Sequence, residues 1–501
     1  MRAAATLRIC GAVGAVLACG TAAVRAAEPG ATNAPGDRML MTDDFGQLIA
    51  VPTNALSGQF RPPSGISITN QVPSPTPGTP ISGPVQEREQ NQRAGRDALQ
   101  FFPPFAPRLA PYLASVDQFG NTALKPGALF PWAPNDVLPQ RVKYWASEVG
   151  LRYSLQQTIT YVNLTDVMQG DNTLAYYTLS LAAKWAVYND PPSATAGWLS
   201  TQIKVKTGLE DSGNTQSAKS NLGTITDPTG LGSGFNGIAI QELAWQQSFR
   251  NGDLVFLGGV LNQANYLDVN TYANNGRSQF INSALINSMV IPLPAYNFGV
   301  NLQWQFADQW YVMGCASAGT AAAGDAPWTG CSFDHWSAAW ELGYMPKNVL
   351  GLGPGIYRIQ PFVARVGDVV EPGLCFNAQQ QLGESTPVGW YGRLGVGGKS
   401  VTTGAAAQTG TGFAIRGPLA QLGLAPSRSN DGAGLGLLWS QPSASSMTVA
   451  HENEFGLEAT YVLQLTPMAK LQSDFQTIWD PAYNPAASHA FVFQLQLALA
   501  W

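Results

Sequence analysis

Charge is scarce in this sequence: Asp, Glu, Lys and Arg make up 12% of 501 residues, where soluble domains carry about 25%. Long apolar runs are lacking too. Beyond the N-terminus nothing approaches the roughly 18 to 20 continuous apolar residues of a membrane helix, although the chain is 45% hydrophobic. The formal net charge of −5 argues against nucleic acid as a partner. Histidine is limited to His335, His451 and His489. No G-x-S-x-G elbow surrounds a serine, and the adjacent Asp334 and His335 would point to opposite faces of a strand. A nucleophile with a positioned base is therefore not found, and no enzyme is expected. Of five cysteines, none sits in a Cys-x-x-Cys pair or beside clustered histidines, so neither metal nor cofactor is expected. What is present is 53 glycines and 10% aromatics, a composition that fits a barrel wall facing lipid on one side and water on the other.

The N-terminus places Arg2 and Arg8 before an apolar run from Ile9 to Cys19, then Val24-Arg25-Ala26 before Ala27. This reads as a secretory signal peptide over residues 1–26. Val16-Leu17-Ala18-Cys19 also fits a lipoprotein-processing site, which leaves lipidation of Cys19 open. Residues 27–140 are punctuated by proline and show little apolar periodicity, as in a partly disordered periplasmic leader. Within it, Val85–Leu99 carries enough charge for a short solvated helix.

From Trp145 onward the pattern changes to period two, the strand signal. In one segment Tyr296, Phe298, Val300, Leu302, Trp304 and Phe306 alternate with Asn297, Gly299, Asn301, Gln303 and Gln305. The sequence ends on a similar row, Phe491, Phe493, Leu495, Leu497, Leu499 and Trp501. About sixteen such segments fit between 147 and 501: 147–160, 174–187, 198–209, 239–249, 254–261, 295–306, 309–316, 332–345, 356–366, 374–382, 387–397, 411–417, 433–439, 453–465, 468–479 and 490–501. The expected fold is all-β, a transmembrane antiparallel barrel of about 16 strands over residues 141–501. Short turns would lie on the periplasmic rim and long connections on the other. After removal of the signal peptide Cys315, Cys331 and Cys375 remain; Cys315 and Cys331, at the feet of one outward loop, are expected to bridge.

Counting strands makes 262–294 the third long loop. It holds Asn262, Asn265, Asn270, Asn274, Asn275, Asn282 and Asn287 but only two charges, Asp268 and Arg277. Carboxamides both donate and accept hydrogen bonds, as sugar hydroxyls do, although Asn is also favoured in turns for backbone reasons. Inward parity assigns Glu148, Arg152, Lys204, Lys206, Glu242, Glu341, Arg358, Arg393, Arg416, Glu454 and Glu458 to the lumen wall.

Several stretches resemble the carbohydrate-selective outer-membrane porins of the OprB type. They include Trp145–Leu151, Gly258-Gly259-Val260, Tyr266–Asn274, Gln279–Ala284, Gly355-Ile356-Tyr357-Arg358, Arg428-Ser429-Asn430-Asp431, Glu454–Tyr461 and Asp480-Pro481. Leu267 stands where that family usually has an aromatic, and 398–411 matches poorly. The resemblance implies a passive pore for sugars in the outer membrane of a Gram-negative cell, and in general porins the third loop folds inward to narrow the channel. The expected constriction is Asp268, Asn270, Asn274 and Arg277, with Arg358 contacting solute. The expected partners are small neutral sugars and the surrounding lipid and lipopolysaccharide; monomer and homotrimer both stay open. The alternative is an export or anchoring barrel whose leader binds a periplasmic partner or the cell wall, although the leader shows no helical repeat.

Overall fold

A computed structural model of the chain describes residues 38–42, 48–52, 146 and 151–500, the last with gaps at 191–194, 210–215, 231–235, 294–295, 320–330, 333, 384–387, 403, 426–427, 429–430, 445–447 and 467–468. The expected signal peptide, the helix expected at 85–99 and Glu148 lie outside the described residues, as does the side chain of Arg152. Within the segment expected to be a leader, β1 (Arg38–Thr42) and β2 (Leu48–Pro52) form a two-stranded sheet.

The remaining strands are β3 (Leu151–Leu164), β4 (Thr173–Asp190), β5 (Thr195–Gly208), β6 (Gly237–Phe249), β7 (Leu254–Leu261), β8 (Asn297–Ala307), β9 (Trp310–Ala318) and β10 (His335–Tyr344). They continue as β11 (Gly355–Val366), β12 (Val369–Gln381), β13 (Val388–Gly397), β14 (Ala405–Arg416), β15 (Gly432–Pro442), β16 (Glu454–Gln464), β17 (Ala469–Trp479) and β18 (His489–Ala500). Each pairs antiparallel with its sequence neighbours, and β18 closes on β3, from Val492 opposite Leu164 to Ala500 opposite Gln156. Closure leaves no edge strand, so every ladder finds its partner within the barrel, which is what a sheet in hydrocarbon requires.

The alternation sets the two faces. On β8, Phe298, Val300, Leu302, Trp304 and Phe306 are exposed on the outside, while Asn297, Asn301, Gln303 and Gln305 are buried inside. Tyr296 leaves this pattern, because it turns at φ 59° before the strand begins, and its hydroxyl accepts from Gln241 Nε2. All sixteen expected strands correspond to observed ones. Of the first expected strand, 147–150 lie outside the described residues. β14 starts at Ala405 rather than 411, since Ala405-Ala406-Ala407 has no alternation to read and the ladder to β15 shifts register there.

The rims are less regular than expected. One rim carries the tight turns 250–253 and 308–309 but also 345–354 and 417–431, the latter with a short helix, Pro418–Gln421. Arg428 and Asp431 pair at 2.5 Å within it, and Asp431 also accepts from Tyr461 Oη and the Gln464 amide. The opposite rim has one two-residue hairpin, 367–368.

The expected disulfide is not formed: Cys315 and Cys331 are both free thiols. Register is the reason. Cys315 lies opposite Ala339 on β10 and points into the lumen, buried. Cys331 lies four residues before β10 begins, exposed. A disulfide needs Cα atoms within about 7 Å, and Cys315 is seated within β9 while Cys331 lies in the connection before β10.

The lumen is occupied. The connection 216–230 enters it with a helix, α1 (Ala218–Leu222), capped by Ser217 and ended by Gly223 at φ 71°. The third long connection, 262–296, crosses it with α2 (Ser283–Ile286), capped by Asn282. Its Tyr266, Leu267, Val290 and Ile291 pack with Leu257, Tyr311 and Met313 of the wall, and its Tyr272, Phe280 and Leu285 with Tyr391 and Leu438. Inward glycines make room for these side chains. A Cβ at Gly389 would sit 2.0 Å from the Tyr272 ring, and one at Gly434 2.7 Å from Phe280.

Candidate functional site

The wall carboxylates hold the two loops. Glu454 accepts the amides of Ile225 and Thr226 at 2.8 and 3.2 Å, and Glu458 those of Ile281 and Asn282 at 2.6 and 2.9 Å. Glu341 accepts the Asp268 amide at 3.1 Å and Gln360 Nε2 at 2.6 Å. Glu242 accepts the Tyr266 hydroxyl at 2.7 Å. Burial and the adjacent Glu242 charge hold that phenol well above its ordinary range, so it serves as a donor. Hydrogen bonds to a charged acceptor are roughly twice as strong as neutral ones, and here they fix backbone that would otherwise be unpaired inside a barrel.

The loops also hold each other. Asp227 and Ser283 exchange two bonds, amide to hydroxyl at 2.7 Å and amide to carbonyl at 2.9 Å, and Asn282 Nδ2 donates to Thr226 Oγ1 at 3.3 Å. Alternation marks the strands but carries no sign of this second inward segment.

Of the residues expected at the constriction or in contact with solute, three are buried and hydrogen-bonded to the wall. Asp268 is 2% exposed and pairs with Arg393 at 3.0 Å, while accepting from Asn377 Nδ2 and the Ser288 amide. Asn270 is buried and donates to Asn377 Oδ1 at 2.8 Å and to the Ala378 carbonyl at 3.1 Å. Arg358, 3% exposed, donates to Tyr311 Oη, Asn377 Oδ1 and Gln379 Oε1, with Glu341 at 3.5 Å. Arg358, Arg393, Glu454 and Glu458 are all buried beneath the two loops. Parity places a side chain in the lumen, however, and does not say whether a loop covers it.

Asn274 and Arg277 are the two that remain half-exposed. Gln279 Oε1 accepts both the Asn274 and Asn275 amides, at 2.7 and 3.0 Å, so the tip of the third loop is a tight, internally bonded turn. From it Arg277 reaches the opposite wall, donating to Gln156 Oε1 of β3 at 2.7 Å and to Ser180 Oγ of β4 at 3.2 Å. Gln156 lies opposite Ser180, and Ser180 opposite Lys204 of β5, so the three share one row. Gln156 and Ser180 were missed because neutral polar residues on a strand look alike until a loop meets them. Gln241 was missed for a different reason. A β-bulge between β5 and β6, where Gln202 opposes Glu242 and Ile203 opposes Ile240, turns both Gln241 and Glu242 inward, as the extra residue of a bulge does.

No curated protein matches the chain in sequence. Residues 370–500 match the profile of the carbohydrate-selective porin, OprB family. Among solved structures, the high-pH structure of Pseudomonas putida OprB is similar at 13% identity with a TM-score of 0.59, covering 76% of this chain and all of that one. Its low-pH structure aligns at 14% identity and TM-score 0.47, covering 74% and 98%. A variant of the Rh. blastica porin aligns at 8% and 0.43, covering 70% and 100%. The first of these bears out the sixteen-strand fold. Over β12 through β18 the sequence is similar to the OprB family of carbohydrate-selective porins, and the fold is that of an outer-membrane porin barrel.

Proposed function

We propose that this chain is a passive channel through which mono- and oligosaccharides diffuse into the periplasm, and that its narrowest part lies between the tip of the third loop and the wall of β3 to β5. The observation that carries the reading is the reach of Arg277 from the half-exposed Asn274–Gln279 turn to Gln156 and Ser180. A polyol entering there meets carboxamides, which donate and accept, a hydroxyl, and a planar five-donor guanidinium. Each bond it makes replaces one it made to water, so contacts are weak enough to release the solute on the far side. The expected constriction thus keeps Asn274 and Arg277 and gains Gln156 and Ser180, while Asp268, Asn270 and Arg358 support it from behind.

The test is solute-by-solute permeability of the full chain in liposomes. Monosaccharides should enter faster than disaccharides, and both far faster than into protein-free vesicles. Equal exclusion of all sugars, with ions still passing, would overturn the reading.

A further inference from the structure

Two connections on the rim that carries the tight turns, the periplasmic rim in bacterial outer-membrane barrels, are longer than the others there and share a tripeptide. Leu350-Gly351-Leu352 lies in the connection 345–354, and Leu422-Gly423-Leu424 in 417–431. In each the glycine is left-handed, at φ 78° and 70°, and a Cβ there would meet nothing within 4 Å, so both tips end in open space. The leucines stand out into it: Leu350 is 96% exposed, Leu352 40%, Leu422 71% and Leu424 73%. Leu350 itself holds φ 53°, a backbone conformation uncommon outside glycine. The tight turns of the same rim expose the charged Arg250 and Asp308 instead.

Both connections are tied to the outer face of the wall. Tyr357, outward on β11, donates to Gln380 Oε1 at 2.6 Å, and Gln380 Nε2 donates to the carbonyls of Gly353 and Pro354 at 3.0 and 3.3 Å. Tyr461, outward on β16, donates to Asp431 Oδ2 at 2.8 Å. With Trp310, which stacks on Tyr344, and with Trp390, these tyrosines gather at this end of the outer face, where aromatic side chains mark the level of the lipid headgroups. The leucines therefore continue the lipid-facing surface past its aromatic border. Neither connection exposes a carboxylate among its described residues: Asp431 is buried against Arg428, and the exposed charge is Lys347. Apolar tips with a basic flank suit a segment lying in the bilayer interface. We propose that Leu350, Leu352, Leu422 and Leu424 are seated in the phospholipid leaflet on the periplasmic side of the outer membrane, so that the two turns pin this rim to the bilayer. The hairpins they close are separated by β12 and β13, and a leaflet that surrounds the rim meets both at once. Strain at Leu350 is then offset by burial of its side chain in lipid.

The experiment replaces each of the four leucines in turn, in the full chain, by photoreactive p-benzoylphenylalanine. The same replacement at Phe413 on the lipid-facing wall and at Asn274 in the lumen gives the two references. Where one replacement does not assemble, its turn is still read at the other leucine. The purified chains are illuminated in vesicles of phosphatidylethanolamine and phosphatidylglycerol, sparsely enough that barrels do not meet, and again in intact cells. In vesicles, phospholipid adducts at the leucine positions should match those at Phe413 and exceed those at Asn274 severalfold. In cells the same phospholipid adduct should predominate. Lipid yields no higher than at Asn274 would overturn the proposal. So would a predominant adduct in cells with a second copy of the chain or with another protein, since the leucines would then be covered by that partner.

Discussion

Asp268, 2% exposed, shows how a charge in the third loop can serve to seat that loop. Its carboxylate takes Arg393, Asn377 and the Ser288 amide, and its own amide goes to Glu341, so it ties the start of the third loop to β10, β12 and β13. Removing one partner of a buried ion pair leaves an uncompensated charge and costs about 3–5 kcal/mol. Asp268→Ala should therefore leave Arg393 unpaired and loosen the loop. The expected outcome is a higher and noisier single-channel conductance, with folded-barrel mobility in gels lost at a lower temperature than in the native protein. Unchanged conductance and melting would mean that the loop does not depend on this anchor. Asp268 was singled out in the sequence as one of two charges in an Asn-rich loop, and its importance was legible there. Its role was not, because an anchor and a solute contact are the same residue types in the same loop, separated only by what packs over them.

At the scale of elements, strands and loops were unequally legible. A strand between water and lipid advertises itself every second residue, so Phe298 to Phe306 and Phe491 to Leu499 could be placed from sequence together with their inward faces. An inward loop has no such periodicity. Its seat is written instead in the wall, as glycines on the inner face of β13 to β15 where an ordinary barrel strand would carry bulk. Gly389 is the sharpest case, with the Tyr272 ring 2.0 Å from where a Cβ would stand. Overpacking of this kind costs typically about 1–3 kcal/mol, and the loop is the softer of the two partners. Gly389→Ala should displace the tip of the third loop while leaving the barrel intact: protease cleavage within 262–294 should increase, and strand content by circular dichroism should not change. Loss of strand signal, or a loop as resistant as the native one, would contradict the seating described here.

At the scale of the whole molecule, a closed antiparallel barrel supplies a rigid ring, and the two inward segments decide how much of its bore stays open. The sixteen strands, their order and their faces followed from alternation, chain length and turn chemistry. The inward segment 216–230, the bulge at Gln241 and Glu242 and the free state of Cys315 and Cys331 did not, since each depends on register or on contacts between residues far apart in the chain. The central claim is that Arg277, reaching from the third loop to Gln156 and Ser180, forms the bar across the pore that solutes must pass. Single-channel recording with added maltose tests it most directly, comparing the native channel with Arg277→Ala. The account predicts that sugar blocks the native current in a concentration-dependent way, and that the substitution raises open conductance and weakens the block severalfold. A variant with native conductance and native sugar block would contradict it.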